Sequence, residues 1–142
     1  MSVLEMNVID ARGPRFSATV TTLVLALALV TQSAVLIAIQ LVVFAIGASA
    51  GPAKTPYAIL FKKFVKPRLR GEVPTEDARP PQFAQSIGLI FAVAALIGSL
   101  LSIPALFTVA VGFALFAAFL NAAFNFCLGC EIYLIAVRII KK

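Results

Sequence analysis

No charged residue occurs between Phe16 and Ala53 or between Pro80 and Cys130, and all twelve Lys and Arg residues lie outside these two stretches. An ionised side chain at mid-bilayer costs at least a few kcal/mol. A chain partitioned in this way is therefore expected to fold in lipid. Composition agrees: 61% of the 142 residues are apolar and 13% are charged, against roughly 45–50% and about 25% in soluble domains. The net charge of +6 is assigned to cations beside anionic headgroups. No basic-plus-aromatic motif points to nucleic acid, so none is expected as a partner. There is no His, which removes imidazole acid–base chemistry and imidazole metal ligation. No resident cofactor and no metal are expected.

Residues 1–15 read as a polar, cytoplasmic N-terminal arm. Glu5 and Asp10 precede the first apolar run, and no small-residue cleavage site follows it, so the first span is expected to stay. As one helix, residues 16–50 would run about 52 Å, well past a hydrocarbon core of about 30 Å. A hairpin breaking at Thr31-Gln32-Ser33 is the more economical solution. The second run, 83–126, is read the same way, with its break at Ser102-Ile103-Pro104, because proline suits a helix's first turn. The expected fold is all-α, with four transmembrane helices near 16–32, 34–50, 83–101 and 104–124.

Residues 51–82 form a cytoplasmic insert. Thr55-Pro56 makes a helix start. Tyr57, Leu60, Phe61 and Phe64 share one helical face over 56–66. Lys62, Lys63 and Lys66 point elsewhere, so a short interfacial helix is expected. A solvated linker over 68–82 follows. Lys62, Lys63, Lys66, Arg68, Arg70, Lys141 and Lys142 are the expected headgroup-binding cations. The arm, the insert and the tail (127–142) hold every cation and the hairpin tips hold none. The positive-inside rule then places both termini on the cytoplasmic side of a bacterial inner membrane. Arg12-Gly13-Pro14-Arg15-Phe16 and Arg79-Pro80-Pro81-Gln82-Phe83 suggest an internal repeat, each followed by a hairpin and a Tyr-led apolar segment with a basic end. Gly88, Ala92, Ala95 and Ser99, and Gly112 with its neighbouring alanines, suggest helix packing or a homodimer.

Cys127 and Cys130 are the candidate chemical centre. Two thiols at CxxC spacing can close a disulfide, exchange with another thiol, or hold a persulfide that the second thiol resolves. Asn125 can cap a helix beginning here, and a helix N-terminus favours the thiolate. The adjoining Glu131 opposes thiolate formation but can accept a proton. The competing structural reading is two small buried residues in a turn. A structural disulfide is disfavoured on the cytoplasmic side. Asn121 and Asn125, four apart on one helical face, either bond across helices or line a pocket leading to the thiols. No ionisable group lies inside the spans, which argues against an ion-coupled carrier.

These residues together resemble a family. Arg12-Gly13-Pro14-Arg15-Phe16, Gly51-Pro52 with Tyr57, Pro81-Gln82-Phe83-Ala84-Gln85, and Asn121-Ala122-Ala123-Phe124 with Cys127-Leu128-Gly129-Cys130-Glu131-Ile132-Tyr133 are similar to an uncharacterised family of small bacterial, mainly actinobacterial, membrane proteins classed as a domain of unknown function. The resemblance spans nearly the whole chain and is most specific in the CLGCE-x-Y segment. It implies association with thioredoxin-like proteins and rhodanese-type sulfurtransferases, and hence thiol or sulfur chemistry, with no particular reaction. Cys127 is then expected to attack, Cys130 to resolve and Glu131 to carry the proton. The alternative is a non-catalytic anchor or accessory subunit of a larger membrane complex.

Overall fold

The computed structural model describes residues 8–10, 12–68, 75–77, 79–124 and 128–141. Helix α1 (Arg12–Thr31) and helix α2 (Ala34–Ala50) form the first hairpin. An insert follows: a 3₁₀ turn at Pro52–Lys54, helix α3 (Pro56–Leu60), a π turn (Phe61–Val65) and a second 3₁₀ turn (Lys66–Arg68). Helices α4 (Arg79–Leu100) and α5 (Pro104–Phe124) form the second hairpin, and α6 (Leu128–Lys141) follows it. Strands β1 (Val8–Asp10) and β2 (Thr75–Asp77) pair antiparallel, with Ile9 opposite Glu76.

Three helices, α1, α4 from Pro81, and α5, are long and apolar enough to cross a membrane. Three of the four expected spans meet this requirement, and the fourth, α2, is the shorter one. Helix α2 has 17 residues and rises only about 26 Å. Its two ends are fixed by local chemistry: Ser33 Oγ accepts the Leu36 N–H at 3.2 Å, and Gly51 takes φ 112°. That conformation suits a residue without Cβ.

The two hairpin tips are built alike. Gln32 (φ 56°) and Ser102 (φ 59°) each adopt the left-handed conformation. The next residue then bonds back across the helix end, Ser33 N–H to the Ala28 carbonyl at 3.2 Å and Ile103 N–H to the Gly98 carbonyl at 2.7 Å. This is the Schellman closure, here with polar residues where glycine is usual.

Helix α1 packs mainly on α5, α2 on α4, and α4 on α5, closing a ring of four helices. The core is Leu25, Ala28, Ile37, Ala95, Phe107, Ala110, Val111 and Ala114. Small residues set the closest approaches: a Cβ on Gly88 would stand 2.6 Å from the Phe44 ring. Gly112, expected to pack likewise, faces open space, and a Cβ there would meet nothing within 4 Å. The outer faces stay apolar, with Leu23, Val30, Val35, Ile90, Phe113 and Phe116 exposed. Such an exterior is matched to hydrocarbon rather than to water.

Both helices that follow a hairpin dock on an aromatic ring near the start of that hairpin's first helix. Phe16 meets Phe61 and Phe83 meets Tyr133, each at 5.6 Å between ring centres. The insert differs from expectation in detail. Of Tyr57, Leu60, Phe61 and Phe64, only Phe61 is buried; Leu60 and Phe64 are exposed. The buried side is Thr55, Ala58 and Phe61, spaced three apart along one face from the helix cap.

Candidate functional site

One end of the bundle gathers the starts of α1, α4 and α6 with the ends of α2 and α5. Side chains from the helix starts cap the carbonyls of the helix ends. Arg15 Nε donates to the Ala122 carbonyl at 3.2 Å, tying α1 to α5. Gln82 Nε2 donates to the Ala48 carbonyl at 2.9 Å, tying α4 to α2. Helix α6 lies against α4 because residue 129 is glycine. A Cβ there would fall 2.6 Å from Ala84 Cβ, a distance that forces a backbone shift.

Between these elements lies a cavity of about 610 Å³. That volume is within the usual range for small-molecule sites. Arg12, Pro14 and Arg15 line it from α1, Pro81 from α4, and Leu128, Gly129, Cys130 and Glu131 from α6. Deeper in, its walls are Ser17, Thr21, Phe44, Gln85, Phe91, Ala114 and Asn121. Two polar atoms of this lining, Ser17 Oγ and Gln85 Oε1, are buried with no hydrogen-bond partner among the described residues. A serine in a helix commonly donates to the carbonyl four residues back, as Thr19, Thr22 and Thr31 do here. Ser17 does not, and a buried hydroxyl left unpaired is costly.

Cys130 sits in the first turn of α6 and is not a free thiol in the structure. A helix N-terminus favours a sulfur anion. Glu131 is in the same turn and exposed. Asn121 is half-buried in the cavity wall. Cys127, Asn125, Arg70 and Lys142 lie outside the described residues, as does the helix cap expected of Asn125. The structure thus brings Cys130, Glu131 and Asn121 around one cavity.

Of the expected headgroup cations, Lys62, Lys63, Lys66 and Arg68 are not part of the cavity lining. Lys62 is exposed and its Nζ donates to the Ala53 carbonyl at 3.3 Å. Lys63 and Arg68 are exposed, Lys66 is half-buried, and Lys141 closes α6. Among the described residues, no group of three or more Cys, Asp and Glu is placed to hold a metal ion.

Gln40, read from sequence as a packing residue, is fully buried, and its Oε1 accepts the Tyr57 hydroxyl at 2.9 Å. This fastens the insert to α2. Burial raises the Tyr57 pKa above its ordinary value of 10.0.

Sequence reasoning missed Arg12, Arg15, Ser17 and Gln85 as members of the site. The two arginines were accounted for by topology alone. The segment Pro81-Gln82-Phe83-Ala84-Gln85 held a signal, since four of its side chains meet different partners: Ala48, Tyr133, Gly129 and the cavity.

A family model described as "Domain of unknown function (DUF4395)" matches residues 9–138. Comparison with curated proteins and with solved structures returns no match.

Proposed function

The chain belongs to the DUF4395 domain family, which carries no assigned activity, and from that premise we propose that it is a membrane-embedded thiol relay. In this reading α2 crosses the bilayer with the other three helices as part of two hairpins. The cation-bearing end faces the cytoplasm. Cys127 and Cys130 work there as a dithiol, with a soluble thioredoxin-like or rhodanese-type protein as exchange partner. The observation that carries the reading is the position of Cys130, in the first turn of α6 and in the wall of a cavity shared with Glu131 and Asn121. A half-buried cysteine with only a packing role has no need of an adjoining cavity with unpaired polar atoms.

The steps follow ordinary exchange chemistry. The Cys127 thiolate attacks one sulfur of the partner's disulfide and the partner's other sulfur leaves as thiolate. Cys130 then attacks Cys127 in the mixed disulfide, releasing the reduced partner and closing the Cys127–Cys130 bond. Two electrons pass to the partner. Glu131 accepts the proton lost by Cys130, and Asn121 and Asn125 order the pocket. With a persulfide-bearing partner, Cys127 takes the terminal sulfur and the partner's thiolate departs.

The test replaces Cys130 with Ser, and separately Cys127 with Ser, in cells. Cys130→Ser is expected to accumulate a mixed disulfide with a thioredoxin-like or rhodanese-type protein, and Cys127→Ser to accumulate far less. No adduct from either variant would overturn the reading.

A further inference from the structure

We infer that the cavity beside Cys130 is a binding site for a small organic anion, seated with its charged group among Arg12, Arg15 and the start of α6 and its apolar body against Phe44 and Phe91. The charge side of the argument starts with the helix ends. First-turn residues of α1 and α6 line the cavity, and each such end carries a partial positive charge with unsatisfied N–H groups. The opposing helix ends contribute less negative charge, because Arg15 and Gln82 already donate to carbonyls of α5 and α2. Arg15 uses only Nε for this, and its remaining guanidinium hydrogens have no partner among the described residues. Arg12, itself already engaged in a contact, adds a second guanidinium, and among the described residues Glu131 is the one carboxylate in the lining.

The interior gives the second, independent observation. Ser17, 6% exposed, lines the cavity with its Oγ unpartnered among the described residues, and a hydroxyl can donate to an anion. An unmet hydroxyl donor in an interior is matched by a ligand that brings an acceptor. Size decides the class. A bare inorganic oxyanion would fill only a small part of about 610 Å³. The walls beyond the arginines are Phe44, Ile87, Phe91, Ala114 and Ala117, which match carbon rather than charge. Joined to the thiol-relay proposal, on which this clause rests, the ligand is a low-molecular-weight thiol bearing an acidic group, or its disulfide. Its thiolate attacks the Cys127–Cys130 disulfide, one protein thiolate leaves, and a second ligand thiolate completes a two-electron exchange.

The experiment compares two alkylating reagents on the reduced full-length protein carrying Cys127→Ser, so that only Cys130 reacts. Iodoacetate is an organic anion and iodoacetamide is its neutral counterpart. Both consume the same thiolate, so the thiol's pKa cancels in the ratio of their rates. The iodoacetate-to-iodoacetamide ratio at Cys130 is expected to exceed that of free cysteine by about tenfold, as electrostatic focusing in a cleft allows. Millimolar valerate, an unreactive anion with an apolar body, is expected to protect Cys130, and inorganic sulfate to protect it far less. Arg12→Gln with Arg15→Gln should bring the ratio down to that of free cysteine, the Arg→Lys pair should keep it raised, and Glu131→Gln should raise it further. A ratio equal to that of free cysteine, or no protection by valerate, overturns the anion site. Because the ratio does not require the pair to cycle in cells, the anion site and the thiol relay fail separately.

Discussion

The two hairpins close their tips in the same way and each docks its following helix on a phenylalanine, yet the helices they dock do opposite things. After the first hairpin, Thr55, Ala58 and Phe61 fill the space beside α1, and Phe61 is 3% exposed. After the second, the corresponding docking helix presents Gly129 and Cys130, and a cavity of about 610 Å³ remains beside them. One half of the molecule is filled for stability. The helix docked after the second hairpin instead holds a sulfur atom next to an open volume, which the first hairpin also lines. Function is then expected where the second half departs from the first.

The comparison breaks most severely at Phe61. Phe61→Ala empties the packed half and is expected to cost about 3–5 kcal/mol, read as a lower midpoint in detergent or urea unfolding. Gly129→Val acts on the open half. Its side chain must enter Ala84, so a loss of about 1–3 kcal/mol is expected, together with faster alkylation of a reduced Cys130 as α6 lifts from α4. Tyr57→Phe removes the tether to Gln40 and is expected to cost about 0.5–1.5 kcal/mol.

The tether also carries a pH signature. Burial raises the Tyr57 pKa, so the folded state holds this proton more tightly than the unfolded one. Its contribution is present below about pH 10 and is lost as pH climbs through the raised folded value. The alkaline limb of a stability–pH curve should flatten in Tyr57→Phe. Gly112→Ala is expected to change stability by less than about 0.5 kcal/mol, since a Cβ there meets nothing within 4 Å among the described residues. A large effect there would mean that this face is occupied by another chain.

Much of this architecture is written in the chain at the level of charge and punctuation. Thr31-Gln32-Ser33 and Ser102-Ile103-Pro104 are polar or proline-bearing interruptions in otherwise apolar runs, and the helices break there. Helix length is less legible. Helices α1 and α4 start at Arg12 and Arg79, several residues before the apolar runs, because Pro14, Pro80 and Pro81 fit a first turn where N–H groups have no helical acceptor. The pairing of β1 with β2 leaves no trace in the sequence, since two three-residue segments far apart in the chain carry no periodicity. Within the site, Cys130, Asn121 and Glu131 are legible by residue type. Ser17 and Gln85 are not, because nothing in an isolated sequence distinguishes an unpaired buried amide or hydroxyl from one that is satisfied by a neighbour.

The most direct test of the relay is the redox state of Cys127 and Cys130 in living cells, read by trapping with acid, alkylation and mass shift. The account predicts a mixture of reduced and oxidised forms that moves toward the disulfide under a thiol oxidant and returns within minutes of its removal. A pair locked in one state throughout such a cycle would contradict it.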